Sequence, residues 1–338
     1  MKPKTALVIA TAAAAMALAA PAASAEIELK LAHFLPTANG MHSDFMEPWA
    51  RDLEACSGGA VAVEIFPAGT QLGNPAKLYD EVRAGVVDIA SCLSGIAGGR
   101  FERVRIAELP FIFDDAGTAT QTLWALFDDH FAQEFPDVKV LALHAHNPGG
   151  FHTVSAPVST PADLAGLRLR FPTEATNKMI EALGGTPVGL PPGAVYENAE
   201  KGVIDGAVFT WDTMASFKLA EVMKHHFDAR AYVTTFWFAI NRKTYDGLPE
   251  AVRTCVDQLS GETLTAKFGD WWNSWDEAGL AAVQGADHTI VTPTEAERQV
   301  WIDTLAPMVD AFLADMEARG IDDAREIYDA MKAAAEAQ

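Results

Sequence analysis

The chain has 338 residues, with 46 acidic against 25 basic side chains and a formal net charge of −21. A surface this negative excludes nucleic acid as a partner and is repelled by anionic lipid. An anionic ligand would therefore need a cation within its own site. The length is sufficient for two domains.

The N-terminus has the pattern of a cleaved secretory signal. Two lysines precede an apolar, alanine-rich run over residues 6–20, and an Ala-Ser-Ala sequence ends at residue 25. Signal peptidase accepts such small residues at its cleavage site, so we expect residues 1–25 to be removed and the rest to be exported. A membrane anchor is the alternative, but the apolar run is short for a span.

Three cysteines, Cys56, Cys92 and Cys255, leave at least one thiol unpaired. An exported chain permits disulfides, but no pairing is predicted from these spacings. Cys92 lies in an apolar, strand-like run and is expected to be a small buried side chain.

The exported chain begins with strands that alternate with helices. "EIELKLAHF" alternates as a strand, and a helix is predicted from Ser43 to Cys56. "AVAVEIFP" is the next strand, followed by the helix "PAKLYDEVRAG" and the strand "VVDIASCL". This order predicts an α/β fold with largely parallel sheets.

A faint internal repeat has an offset of 117 residues. Residues 78–90 read "LYDEVRAGVVDIA" and residues 195–207 read "VYENAEKGVIDGA". In both copies a helix ends at a glycine and a strand starts at once. Chance similarity is one explanation; two lobes of like construction is the favoured one. Such lobes leave a cleft at the carboxyl ends of their strands, here residues 91–93 and 208–211.

Two segments are expected to cross between the lobes. "HAHNPGGFHTVSAPVSTPADLAG" crosses first, and "ARAYVTTFWFAINRKTYDGLP" crosses back. The last third of the chain has helical patterns, in which Trp271, Trp272 and Trp275 are expected to pack between helices. We therefore assign residues 26–149 with 236–275 to lobe I. Residues 150–235 with 276–338, including the C-terminal helices, are assigned to lobe II.

The chain shows no catalytic motif, and a binding set is more evident. It contains no G-x-S-x-G elbow, H-E-x-x-H or Walker A sequence. One cation beside aromatic rings is suited to a small organic carboxylate, because the guanidinium pairs with the carboxylate and the rings cover the carbon skeleton. The candidate side chains are Arg170, His152, Phe209, Trp211 and Phe236.

Arg170 has a second interpretation. The strand "LRLRF" places Arg168 and Arg170 on one face, and either arginine is able to form a surface salt bridge. For Arg170 the neighbouring acids would be Asp163 or Glu174, and the residues alone leave this choice open.

Several blocks resemble the periplasmic solute-binding proteins of TRAP transporters, the DctP-like group. They are "FPAGTQLG", "LYDEVRAGVVDIA", "ELPFIF" and "TPADLAGLRLRFP", followed by "ALGGTPVGLPPGAVYENAEKGVIDGAVF". The resemblance implies a two-lobed periplasmic binding protein fold with crossing strands and a long hinge helix. It also implies that Arg170 binds the substrate carboxylate and that Arg168 is surface charge.

The chain departs from the family pattern near the expected ligand. Many members have a second arginine where His152 stands, and sugar-acid binders carry asparagine where Phe209 stands. Some members recruit a metal through an acid at the position of Val208, so we expect no metal and no cofactor here. These apolar replacements predict a small, fairly apolar or aromatic monocarboxylate.

The resemblance also implies how the protein operates. The ligand docks on lobe II, and lobe I closes over it with His33 and residues 91–93. The monomeric periplasmic protein then delivers the ligand to TRAP membrane subunits, without nucleic acid or membrane insertion. A sensor subunit that hands its ligand to a receptor is one alternative, and a secreted enzyme is a weaker one.

Overall fold

The computed structural model describes residues 27–96 and 99–337. The predicted signal, residues 1–25, lies outside these ranges. The strands are β1 (Ile27–His33), β2 (Val61–Phe66), β3 (Ile89–Leu93), β4 (Val138–Ala145), β5 (Gly149–Thr153), β6 (Arg168–Phe171), β7 (Thr186–Gly189), β8 (Gly206–Phe209), β9 (His225–Tyr232), β10 (Thr235–Asn241) and β11 (Thr289–Val291). The α-helices are α1 (Glu47–Cys56), α2 (Leu78–Ala84), α3 (Ala116–Ala125), α4 (Glu174–Ala182), α5 (Val195–Glu200), α6 (Asp212–Ser216), α7 (Arg242–Gly247), α8 (Glu250–Gln258), α9 (Glu262–Thr265), α10 (Phe268–Ala282), α11 (Glu295–Ala318) and α12 (Ala324–Glu336).

The strands form two sheets, one in each lobe. Lobe I has the strand order β2-β1-β3-β10-β4, and lobe II has β11-β9-β5-β8-β6-β7. In lobe I, β1 runs parallel to β2 and β3, while β10 is antiparallel to its neighbours. In lobe II, β6 runs parallel to β7 and β8, while β5 is antiparallel to its neighbours. The two sheets therefore share one plan, as the repeat predicted.

The chain crosses between the sheets twice. β4 ends at Ala145 in lobe I and β5 begins at Gly149 in lobe II; β9 ends at Tyr232 and β10 begins at Thr235, back in lobe I. These links are too short for a parallel connection within one sheet, which takes about a dozen residues or more. They carry the chain from one sheet into the other instead. The predicted crossing strands are confirmed.

The two copies of the repeat have matching local geometry. Gly85 and Gly202 take left-handed φ values of 73° and 66° after their helices. The backbone N–H of Lys30 donates to the Asp88 carboxylate at 2.9 Å, and that of Arg168 donates to Asp205 at 2.8 Å. Each repeat aspartate thus ties the start of its own strand to the neighbouring parallel strand, which is β1 in lobe I and β6 in lobe II.

The same register shows where the lobes differ. Ala32 lies opposite Ala90 in lobe I, and Arg170 lies opposite Ala207 in lobe II. Ala90 and Ala207 are equivalent in the repeat. Arg170 therefore occupies the place that a methyl group occupies in lobe I, and the cation at this position is particular to lobe II.

The long helix α11 belongs to both lobes. Trp301 and Leu305 lie in the core of lobe II, while Phe312, Leu313 and Met316 lie in the core of lobe I. This 24-residue helix is the long connecting helix that the resemblance implied. The assignment of all of residues 276–338 to lobe II was wrong.

Helix α12 also packs on lobe I. Ala324, Ile327 and Met331 are buried in the lobe I core, where α12 contacts α3. The surface that α12 covers depends on where α11 places it. Helix α10 contacts both α3 of lobe I and α6 of lobe II.

One disulfide links two helices of lobe I. Cys56 at the end of α1 is bonded to Cys255 in α8, across 199 residues of sequence. No pairing had been predicted, because only the folded core brings these helices together. Cys92 is reduced and buried, as expected. Across residues 27–96 and 99–337, no helix has the length and apolar character needed to span a membrane.

Candidate functional site

A cavity lies between the lobes, at the carboxyl ends of strands β1, β3, β6 and β8. Its empty volume, which includes open solvent at its mouth, is about 470 Å³. Lobe I contributes residues just after β1 and at the end of β3, and lobe II contributes the ends of β6 and β8. The aromatic side chains in its lining are Phe34, Phe209, Phe217, Tyr232, Phe236 and Trp272.

Arg170 is the cation of this cavity. Its side chain is 2% exposed; Nε donates to the carbonyl of Leu190 at 3.1 Å and Nη1 to that of Val208 at 3.5 Å. Its guanidinium carbon lies 4.1 Å from the centre of the Phe209 ring. Burial lowers the pKa of Arg170 to about 10, so the group remains charged at neutral pH.

Arg170 forms no salt bridge with any carboxylate of the described residues. The two acids considered as partners are engaged elsewhere: Asp163 accepts hydrogen bonds from Thr160, and Glu174 pairs with Arg105 at 3.0 Å. The salt-bridge interpretation of Arg170 was therefore wrong. Isolated buried charges are costly, and among the described residues the hydrogen-bond partners of this guanidinium are two backbone carbonyls.

Arg168 has the opposite environment. Its guanidinium contacts both carboxylate oxygens of Asp205, at 2.9 and 2.7 Å, on the surface of lobe II. The expectation that Arg168 is surface charge is confirmed.

The second crossing brings further groups to the cavity. Tyr232, Thr234 and Phe236 line it from the link between β9 and β10. The Tyr232 hydroxyl forms no hydrogen bond with the described part of the chain. Burial raises the pKa of Tyr232, and the neighbouring charge of Arg170 opposes this shift. Tyr232 is thus a neutral hydroxyl near the guanidinium.

His146 lines the cavity as a neutral imidazole. Its Nε2 accepts from the backbone N–H of Thr234 at 3.0 Å, so Nδ1 carries the proton and donates to the carbonyl of Asn147 at 2.5 Å. Burial lowers the pKa of His146 to about 4. Arg170 is therefore the cationic side chain in the described lining.

His33 does not reach the cavity, contrary to the prediction. Its Nδ1 accepts from the N–H of Leu35 at 3.2 Å, so Nε2 donates to His42 Nδ1 at 2.9 Å. Burial lowers the pKa of His33 to about 3. The His33 ring stabilises the turn after β1, and the next residue, Phe34, lines the cavity.

His152 does not line the cavity either. It lies opposite Ala207 of the neighbouring strand β8, before the carboxyl end of that strand, and is 1% exposed. Its Nε2 donates to the carbonyl of Phe209 at 3.2 Å, so its Nδ1 accepts from His226 Nδ1 at 2.8 Å. His226 in turn contacts His288 at 3.0 Å. His152 supports the backbone of Phe209 from behind.

Trp211 is the third candidate outside the cavity lining. Its indole N–H donates to Asp228 at 3.3 Å, and its ring packs edge-on against His152. It follows β8 directly, but its side chain turns toward β9. Of the six predicted residues, Arg170, Phe209 and Phe236 meet at the cavity; His33, His152 and Trp211 do not.

Several lining residues were missed. Trp272 had been expected only to pack between helices, yet its ring meets Phe236 at 5.7 Å on the cavity wall. Tyr232 lies in a segment that was recognised as a crossing but not as a site. No sequence pattern identified Asn39 or Asp212 as a site residue, since each is an ordinary polar residue beside a helix start.

No cluster of three or more His, Cys, Asp or Glu side chains suited to a metal ion occurs among residues 27–96 and 99–337. The expectation of a metal-free site rests on Val208 and stays a prediction.

Two α/β lobes joined by crossing strands, with one unpaired cation in the cavity between them, define a two-lobed solute-binding protein. The chain belongs to the bacterial extracellular solute-binding protein family 7, the DctP family, whose model matches residues 31–315. It is a solute receptor of the TRAP type, and its family and structural neighbours are binding proteins and not enzymes.

Three solved structures illustrate the similarity. A TRAP solute-binding protein from Rhodoferax ferrireducens, with copurified benzoate, is 33% identical, with a TM-score of 0.88 over 92% of this chain and 98% of that chain. A marine metagenome protein specific for aromatic acids, crystallised with 3-hydroxybenzoate, is 33% identical, with a TM-score of 0.88 over 93% and 99%. A Bordetella bronchiseptica protein with bound mandelate is 28% identical, with a TM-score of 0.82 over 92% and 99%.

Structures that hold glucuronate or galacturonate match as well. Their identity to this chain is 24% or less, so they show the fold alone.

Proposed function

We propose that this protein captures a small aromatic monocarboxylate between its lobes and delivers it to the membrane subunits of a TRAP transporter. The observation that carries the proposal is Arg170, a buried guanidinium without an acidic partner among the described residues, on an aromatic-lined cavity. The proposed location is the periplasm, after removal of residues 1–25, and the proposed state is a monomer.

The ligand carboxylate would complete the environment of Arg170. Two backbone carbonyls already hold the guanidinium, through Nε and Nη1, and Phe209 covers one of its faces. Nη2 has no hydrogen bond to the described residues. A carboxylate placed there forms charge-assisted hydrogen bonds in a setting of low dielectric, and the Tyr232 hydroxyl in the same lining is a further donor.

The remaining lining favours a flat, apolar skeleton. The Phe34 and Phe236 rings stack at 6.4 Å with 15° between their planes, and Trp272 extends this wall. Sugar acids need a hydrogen-bonding partner for each hydroxyl, whereas aromatic rings pack on each other by offset stacking or edge contacts. The relatives that hold benzoate, 3-hydroxybenzoate and mandelate support this choice.

Capture would proceed by closure of the lobes. The ligand docks on Arg170 in lobe II, and lobe I then brings Phe34, Leu93 and Phe236 against it. Asn39 of lobe I donates to Asp212 of lobe II at 3.1 Å, a contact that needs the closed arrangement. The ligand stabilises that arrangement through its greater affinity for the closed form.

A ligand panel tests the proposal. Benzoate, 3-hydroxybenzoate, mandelate, succinate and glucuronate are compared by thermal shift and calorimetry on the exported chain. We expect the aromatic monocarboxylates to stabilise the protein and to bind most tightly. Stabilisation by glucuronate alone would overturn the proposed ligand class.

Arg170→Ala and Arg168→Ala provide the matched controls for this panel. Loss of a desolvated charge pair costs about 2–5 kcal/mol, so Arg170→Ala is expected to weaken benzoate binding by roughly 30-fold to several thousand-fold. Arg168→Ala removes the same charge two residues away and should change the affinity by less than about twofold. A loss below threefold for Arg170→Ala would place the anchor elsewhere.

A further inference from the structure

The cavity contains a second polar region, where β8 runs into α6. Asp212, the first residue of α6, lines the cavity and is 5% exposed. Thr210 and Thr213 line it beside Asp212, and Asn39 reaches the same place from lobe I. Asp212 and Arg170 line one cavity, yet they form no salt bridge with each other, so each polar group remains available to a different part of one ligand.

The side-chain donors of this region are already used within the protein. The Thr210 hydroxyl donates to one Asp212 oxygen, and the Thr213 hydroxyl donates to the Thr210 carbonyl at 2.6 Å. The Asn39 amide nitrogen donates to Asp212 at 3.1 Å and to Ser216 at 3.2 Å. What this region still offers a ligand is acceptor oxygen.

The Asn39 side-chain amide has one favoured orientation, so its nitrogen remains the donor to Asp212. Its amide oxygen accepts from the backbone N–H of Met41 at 3.0 Å, which keeps the nitrogen turned toward Asp212. An amide flip would lose this hydrogen bond and place two oxygens against each other.

Asp212 lies beside a second buried carboxyl, that of Asp276. Burial raises its pKa, while the hydrogen bonds from Thr210, Asn39 and Ser216 lower it. Its backbone N–H donates to Asp276 at 2.9 Å, and burial together with the charge of Asp212 raises the pKa of Asp276 to about 7. The hydrogen bonds that Asp212 accepts from Thr210, Asn39 and Ser216 favour its charged form.

Resting on the proposed function, we propose that Asp212, held by Asn39, selects aromatic monocarboxylates that carry a hydroxyl on the ring and rejects those that carry a second carboxylate. A ring hydroxyl donates to a carboxylate oxygen of Asp212 and adds to the hydrogen bonds that this group accepts from Thr210 and Asn39. A methoxy group in the same place cannot donate, and a second carboxylate meets a like charge without a cation to offset it.

The unmodified exported chain gives the first test. Affinities are measured by calorimetry for benzoate, 3- and 4-hydroxybenzoate, the two methoxybenzoates, isophthalate and terephthalate. We expect at least one hydroxybenzoate to bind about tenfold or more tightly than the methoxybenzoate of the same ring position, and both dicarboxylates to bind at least about tenfold more weakly than benzoate. Equal binding of every hydroxy and methoxy pair would overturn the inference.

Asp212→Asn gives the second test, with Asp228→Asn as its control. Asparagine keeps the shape but replaces the charge and one acceptor with a donor. The hydroxyl preference should fall below about threefold and the penalty for isophthalate and terephthalate should shrink, while the benzoate affinity changes by less than about threefold. Asp228 is a half-buried acid of the same lobe that accepts a hydrogen bond from Trp211 outside the cavity lining, and Asp228→Asn should retain both preferences.

The outcomes separate this inference from the proposed function. If no aromatic carboxylate binds the unmodified chain, the proposed function fails; if benzoate binds and the preferences are absent, only the inference fails. An equal loss for all ligands in Asp212→Asn would assign Asp212 a structural role and overturn it. Should that variant not fold, Asp212→Glu, which keeps the charge and moves it by one methylene, must change the preferred ring position while still rejecting dicarboxylates; an unchanged preference contradicts the inference.

Discussion

At the scale of single residues, two arginines two positions apart in β6 have different environments. Arg168 stands at the start of the strand, where its guanidinium reaches Asp205 and water. Arg170 stands near the carboxyl end, where the lobes meet and the described acids leave it unpaired. Strand alternation places both on one face, but their distances from the cleft differ. Position along the strand therefore decides which arginine is available to a ligand.

Also at this scale, Asp276 should make stability depend on pH. Its pKa is raised to about 7 by burial and by the charge of Asp212, against about 3.9 for an unfolded aspartate. The folded state holds this proton more tightly, so the carboxyl contributes stability below about pH 4 that is lost as the pH rises through 7. We expect the free energy of unfolding of the unmodified protein to fall between pH 6 and pH 8 relative to that of Asp276→Asn.

Urea denaturation at pH 6, 7 and 8 measures this difference. Asp270→Asn changes an exposed aspartate of the same helix, α10, and should show the pH dependence of the unmodified protein. Parallel pH curves for Asp276→Asn and the unmodified protein would contradict the prediction.

At the scale of secondary-structure elements, α10 supports the end of β8. Helix α10 packs against α6, and its Gly279 lies against the backbone at Trp211. The same helix supplies Trp272 to the cavity wall and Asp276 to the backbone of Asp212. Helix α10 therefore fixes the position of both the end of β8 and one wall of the cavity.

Gly279→Ala should disturb this packing. An added Cβ would overlap the carbonyl oxygen of Trp211, which is backbone and cannot move aside cheaply. We expect a loss of about 1–3 kcal/mol in stability, after the gain in helix propensity, together with weaker benzoate binding. Gly247→Ala in α7 meets nothing within 4 Å and should stay within about 0.5 kcal/mol. Urea denaturation and calorimetry compare the two variants, and equal effects would contradict the proposed support.

At the scale of the whole molecule, three connections join the two lobes. Two crossings join the sheets, and α11 contributes to both cores. Polar contacts meet across the cleft: Asn39 with Asp212, and Arg105 with Glu174 at 3.0 Å. Such contacts stabilise the closed form, so they should add to ligand affinity without touching the ligand.

Variants of two glutamates in α4 distinguish the effect of a contact across the cleft from the effect of surface charge in general. Glu174 pairs with Arg105 of lobe I, whereas Glu181 pairs with Lys178 of the same helix. Glu174→Ala is expected to weaken benzoate binding by about two- to fivefold, and Glu181→Ala to leave it unchanged. Calorimetry at one fixed ionic strength measures both affinities. The same affinity in both variants would show that the pair with Arg105 does not favour closure.

The sequence by itself determined the α/β class, the two like lobes and the crossings, because periodicity, glycine positions and a repeat can be recognised without the fold. The residues alone left the role of Arg170 open, and the resemblance to the TRAP solute-binding family singled it out as the anchor candidate. Phe209 and Phe236 were recognised from their strand positions. The tertiary structure decided which side chains reach the cavity: His33, His152 and Trp211 lie near it in sequence, but hydrogen bonds within their own lobes hold them away.

The rest depended on contacts between distant segments. Asn39, Asp212, Tyr232 and Trp272 come from four separate parts of the chain and meet only when both lobes are assembled. The Cys56–Cys255 bond and the docking of α12 on lobe I arise in the same way. Local patterns specify which face of an element is buried, while the depth and partner of that face follow from how the elements pack together.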